Sequence, residues 1–188
     1  FSIGANQAVQ FVQPGASSIA LNRVIGADPS VIIGTLTSNG QVFLINPNGV
    51  LFGRGAQVDV GGLVASTLDI SNADFANGHY RFHGNGNPAA VTNLGTISAS
   101  DGGAVALLGG SVSNHGVIAA RLGTVSLAAG NAVTEAASFG LTGWLFQWLG
   151  AGVALVEKAE GKLENASVNG ENAGEQIELS QQDSAAIE

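Results

Sequence analysis

The chain has 188 residues, 11% of them charged, 28 glycines, no cysteine, a net charge of −8 and a mean hydropathy of +0.29. One domain, or one domain plus a tail, fits that length, and the apolar content argues against disorder. Disulfides, thiolate metal sites and thiol nucleophiles are excluded, and six Lys and Arg residues are too few for a nucleic-acid partner. The start at Phe1 and the lack of Met read as a processed or trimmed fragment, with any export signal upstream.

Charge divides the chain. Up to residue 134 five acids face four arginines; from 135 onward nine acids face two lysines, and all Glu, Lys and Trp fall there. This sets a boundary near Thr134, with residues 1–134 as one domain and 135–188 as an acidic C-terminal segment.

Short β-branched and apolar runs fill the first part: Val31–Ile33, Gln41–Ile45, Val50–Phe52 and Val105–Leu108. No sustained helical stripe interrupts them, so the class is all-β. Residues 33–45, 94–108 and 115–128 share one pattern: Gly-x-(Ile/Leu), a polar turn, then Gly-x-Val-x-Leu. Asn93-x-Gly95-x-Ile97 and Asn114-x-Gly116-x-Ile118 are 21 residues apart, and Gly103 and Gly123 are 20 apart. A period of that length predicts stacked coils, a β-solenoid, in preference to a sandwich or barrel. Adjacent coils would lie about 4.8 Å apart. Gly and Asn would make the corners, and buried corner Asn residues would bond to each other along the axis.

Asn46-Pro47-Asn48-Gly49 is the sharpest local motif. Pro at the second position and Gly at the fourth suit a type I turn. On pattern alone it is a coil corner.

The runs Gln10-Phe11-Val12-Gln13-Pro14, Asn22-Arg23-Val24, Gly34-Thr35-Leu36 and Gly40–Gly53, with Val64–Ile70 and the Asn-x-Gly-x-Ile coils, carry a family resemblance. In that order and spacing they resemble the haemagglutination-activity (two-partner secretion) domain of filamentous haemagglutinins, high-molecular-weight adhesins and contact-dependent inhibition toxins. The resemblance covers roughly residues 1–134 and is closest to the high-molecular-weight adhesin branch. A separate Asn-Pro-Asn-Leu motif of other members does not stand in this sequence. The resemblance implies a right-handed parallel β-helix with extra β-hairpins. It implies the N-terminal secretion-signal domain of a large exoprotein, secreted to or displayed on the surface of a Gram-negative bacterium after transient passage through the periplasm. The implied partner is an outer-membrane β-barrel transporter with POTRA domains. The exoprotein would cross largely unfolded, and this domain would nucleate β-helix folding outside. The residues the resemblance ties to secretion are Asn46, Pro47, Asn48 and Gly49, with Asn22 and Arg23. Whether Asn46 and Asn48 touch the transporter or shape a corner stays open in the sequence.

The rival reading is a direct adhesive module for ligands on host or neighbouring cells. A transporter signal should depend on residues 10–55, an adhesive face on loops such as 72–88. Parallel β-helices also carry polysaccharide lyases and hydrolases, but their clustered acidic and basic faces have no counterpart here. The expectation is no enzyme, no cofactor and no metal. His79 and His83 lie in an alternating, strand-like stretch, where i and i+4 are about 13 Å apart, too far to share a zinc ion. Tyr80, Arg81 and the two histidines are expected to form a solvated face, and His115 to be exposed.

Residues 136–156 are uncharged over a length that could span a bilayer. Interspersed Gly and Gln and acidic flanks favour a buried cap or lid helix over the solenoid end, or an interaction patch of Trp144, Phe146 and Trp148. Gly161–Asn165 and Gly174–Leu179 alternate like strands and read either as one more, polar-faced coil or as an engineered or unusual C-terminal segment of foreign composition. Asn165-Ala166-Ser167 is a glycosylation sequon.

Overall fold

The computed structural model describes the backbone of residues 1–136, 145–147 and 154–169, and side chains up to Val133. Among these described residues seventeen strands follow in chain order: β1 (Ala8–Phe11), β2 (Ile19–Arg23), β3 (Ser30–Ile32), β4 (Thr35–Ser38), β5 (Gln41–Ile45), β6 (Val50–Phe52), β7 (Gln57–Val60), β8 (Gly62–Ser66), β9 (Asp69–Ile70), β10 (Tyr80–His83), β11 (Ala90–Asn93), β12 (Thr96–Ala99), β13 (Ala104–Gly109), β14 (Ser111–Ala129), β15 (Ala132–Ala136), β16 (Leu145–Gln147) and β17 (Ala154–Asn169). One short helix, α1 (Asn72–Ala76), lies between β9 and β10.

Thirteen strands wind into one sheet with three faces. β1, β4, β7, β12 and residues 117–120 of β14 stack in parallel as the first face. The second is β2, β5, β8, β13 and residues 124–129 of β14. The third is β3, β6, β11 and residues 111–114 of β14. This is a parallel β-helix, and β14 makes a whole coil by itself. Val91 faces Val112, Ile97 faces Ile118 and Val105 faces Val125, so the sequence repeat of 20–21 residues is the coil step.

Stacked apolar columns make the core. Leu36, Val58, Ile97 and Ile118 lie in register and are buried. So do Leu44, Ala65, Leu107 and Leu127. Burying one such aliphatic side chain contributes about 1.5–3 kcal/mol. Short strands suffice because each coil is completed by its neighbours, not by its own length.

Glycines at two corners explain why the repeat is so strict. A Cβ on Gly116 would run into the Gly95 carbonyl, and one on Gly123 into the Gly103 carbonyl. Gly61 against Gly40 and Gly103 against Gly61 extend the second column toward the N-terminal end. The backbones approach so closely there that a side chain has no room. The expected ladder of corner asparagines is also present. Asn93 Nδ2 donates to Asn114 Oδ1 at 2.7 Å, with both residues buried.

Between β8 and β11 the chain leaves the coils. β9 and β10 pair antiparallel, β10 pairs with β15, and β15 with β16, giving a second, four-stranded sheet. Ser71 caps α1 by accepting from the Asp74 amide. This sheet covers the outer side of the second face. Phe43, Ile45, Val64, Ala106 and Leu108 there pack against Leu68, Ile70, Tyr80, Phe82 and Val133. The Phe43 ring sits 5.3 Å from Tyr80 and 5.7 Å from Phe75. The second face is therefore buried on both sides, and β8 and β13 are buried along their whole length.

This corrects one expectation. Tyr80 is buried, at 7% exposure, not part of a solvated face. Its strand alternates, so Tyr80 and Phe82 point inward while Arg81 and His83 point outward. His115 is exposed, as expected.

β17 runs antiparallel along β14 across all three faces. The described residues of the stretch expected as a lid helix, 145–147 and 154–156, are strands. Gly161–Asn165 is strand as well, but antiparallel to the last coil instead of continuing it. Among the described residues no helix is long and apolar enough to cross a membrane. The side chains of the expected Trp144, Phe146 and Trp148 patch and the 174–179 strand lie outside what is described.

Candidate functional site at the first corner

Asn46–Gly49 turns the chain from the second face to the third. The Gly49 amide donates to the Asn46 carbonyl at 3.1 Å, the bond of a four-residue turn. Asn46 Oδ1 accepts from the Asn48 amide at 3.0 Å, so the side chain reinforces the turn it begins. Gly49 takes φ +123°, a conformation that side-chain-bearing residues rarely adopt.

The two asparagine side chains reach beyond their own turn. Asn46 is fully buried, and its Nδ2 donates to the Asp28 carbonyl and to Ser30 Oγ, each at 3.0 Å. Asn48 Nδ2 donates to the Gly26 carbonyl at 2.8 Å. Both amides thus tie residues 46–49 to the loop of the preceding corner. Two backbone bonds flank them: Val24 N to Ile45 O at 2.8 Å, and Ser30 N to Gly49 O at 2.9 Å. Pro47 lends its carbonyl to Asn87 Nδ2 at 3.1 Å. The 85–88 loop, in the region expected for an adhesive face, therefore meets the turn expected for secretion. Sequence reasoning missed Asn87, because only the excursion between β8 and β11 brings it back to this corner.

Asn22 and Arg23 sit next to each other on β2 with opposite directions. Asn22 lies beside Leu44 and heads the inward column that continues through Ala65, Leu107 and Leu127. Arg23 heads the outward column and reaches the second sheet. Its Nε donates to Asp69 Oδ1 at 2.7 Å, Nη1 to Asn72 Oδ1 at 3.0 Å and Nη2 to the Ile70 carbonyl at 2.5 Å. A planar guanidinium can satisfy three partners at once, and here it fastens the excursion to the first complete coil. Asn46, Pro47, Asn48 and Gly49 form one constellation; Asn22 and Arg23 belong to the neighbouring strand.

No group of three or more metal-ligating side chains occurs among the described residues. A shallow groove of about 320 Å³ lies at a different corner, lined by Arg54, Leu94, Thr96, His115 and Val117. The geometry at residues 46–49 is one of shape: a turn, a buried amide and a pinned loop.

Comparison with known proteins agrees with this architecture. The chain is 42% identical over 144 residues, 69% of its length, to a heme/hemopexin-binding protein of Haemophilus influenzae, and spans 15% of that relative. A second heme/hemopexin-binding protein of the same species is 45% identical over 82 residues, covering 44% of the chain and 9% of that relative. The crystal structure of the HMW1 secretion domain from Haemophilus influenzae superposes with a TM-score of 0.70 at 42% identity, over 72% of this chain and 37% of that one. The model of the TPS secretion domain matches residues 1–188, past the boundary set by charge at 134. The chain belongs to the TPS (two-partner secretion) secretion-domain family.

Proposed function

We propose that this chain is the secretion signal of a longer exoprotein, recognised in the periplasm of a Gram-negative bacterium by the POTRA domains of an outer-membrane β-barrel transporter, and that it nucleates β-helix folding outside the cell. The observation that carries the reading is the family match across residues 1–188. The fold supplies a mechanism that needs no nucleotide and no catalytic group. Coils that contact only their neighbours can form one after another. Each coil that closes outside buries aliphatic side chains at about 1.5–3 kcal/mol apiece, which opposes slipping back.

In this reading residues 46–49 serve secretion through the corner they build. Asn46 is too buried to meet a partner directly. Binding of the kind named for the relatives is assigned to the rest of the exoprotein, because the chain spans only 15% and 9% of those two relatives.

The test is release of this chain from cells with and without the matching transporter. Appearance in the medium only with the transporter is expected. Equal release without it contradicts the reading.

A further inference from the structure

What the corner presents outward is the loop from Val24 to Pro29. Four hydrogen bonds hold it: Asn48 Nδ2 to Gly26 O, Asn46 Nδ2 to Asp28 O, Val24 N to Ile45 O and Ser30 N to Gly49 O. On this loop Ile25 is 96% exposed, against 81% for Val12 and 63% for Leu122. A single exposed aliphatic residue is ordinary on a protein surface. Ile25 differs in that the backbone on both sides of it is pinned, so little further ordering is lost when it binds. Three residues on, Asp28 is exposed, and its carboxylate has no hydrogen bond or ion pair among the described residues.

We infer that the 24–29 loop is the docking surface for the transporter. Ile25 is the anchor that enters an apolar pocket on the transporter's periplasmic side, and Asp28 meets a lysine or arginine at the rim of that pocket. This rests on the secretion-signal reading. Asn46 and Asn48 then act one step behind the contact, by fixing the loop that makes it. The bonds of their side chains to the loop span 18 to 22 residues of sequence. Contacts of that span join one coil only to the next, so the corner can close before the later coils do. That suits a chain recognised before it is fully folded. Two other occupants fit less well. A second copy docked about a twofold axis through the loop would bring two Asp28 carboxylates together. An anionic lipid surface would repel both Asp28 and a chain of net charge −8.

The experiment compares wild type, Ile25→Asp, Ile25→Ala and Asp28→Asn in the full chain. Leu122→Asn serves as the control, because Leu122 is exposed at the far corner with φ 55°, which Asn adopts more readily. Circular dichroism and the thermal midpoint report folding. Affinity for the purified transporter and export from cells report docking. All variants are expected to fold like wild type. Ile25→Asp should weaken binding by about 30-fold or more and abolish export, as loss of an interface anchor does. Ile25→Ala should lose less. Asp28→Asn should flatten the salt dependence of binding, and Leu122→Asn should behave as wild type. The inference is overturned if Ile25→Asp binds and exports like wild type, or loses both only together with its fold. A wild-type chain exported equally without the transporter would instead remove the secretion-signal reading on which the inference stands.

Discussion

Asn93 and Asn114 hold equivalent positions in successive coils, and the amide of the first donates to the side-chain oxygen of the second at 2.7 Å. The column they extend toward the C-terminal end is apolar before them: Ile32 lies beside Phe52, and Phe52 beside Asn93. Asn93 also accepts from the Gly95 amide at 3.1 Å, so one buried side chain serves both its own corner and the next coil.

Asn93→Ala leaves the Gly95 amide and Asn114 without that partner inside the core. The expected cost is about 1–3 kcal/mol per group left unsatisfied. Denaturant unfolding measures it. The double variant Asn93→Ala/Asn114→Ala should cost less than the two single changes added together, because the bond between the two side chains can be lost only once.

Gly123→Ala places a methyl group against the Gly103 carbonyl. The coils must separate locally to admit it, so loss of at least about 1–3 kcal/mol is expected, on the scale of overpacking a core. Gly15→Ala meets nothing within 4 Å and should leave the stability within about 0.5 kcal/mol of wild type. Thermal unfolding of the pair distinguishes close approach from a general intolerance of alanine.

Arg23→Lys keeps the charge and loses the three-way fork to Asp69, Ile70 and Asn72. Asp69 is half exposed, so solvent weakens the ionic part, and a total loss of about 1–2 kcal/mol is expected. The loss should be local. Hydrogen exchange should quicken in residues 69–83 and stay unchanged in β12 and β13. Uniform quickening across all coils would show that Arg23 does not act on the excursion.

The coil step was legible because backbone approach admits only glycine. Gly103 and Gly123 stand 20 residues apart in the sequence for the same reason that they touch in space. Asn93 and Asn114 were legible in the same way, since a buried amide at a corner finds its twin one coil on. The second sheet was not. β10 alternates like any half-exposed strand, and alternation does not say which side meets a partner, so Tyr80 read as solvated although it packs on Phe43. The corner at 46–49 was legible as a turn from Pro47 and Gly49. Its grip on Gly26 and Asp28 was not, because side-chain reach across coils leaves no periodic trace. The role of Arg23 was marked by resemblance alone; its partners come from an excursion whose return path has no sequence period.

The most direct test of the account is export of Asn48→Ala from cells carrying the matching transporter, with circular dichroism of the purified variant. Asn48 is exposed, and truncation removes its bond to Gly26 while Asn46 keeps its bonds to Asp28 and Ser30. The account predicts a folded protein that is retained in the cell. A folded protein exported at the wild-type level would contradict it.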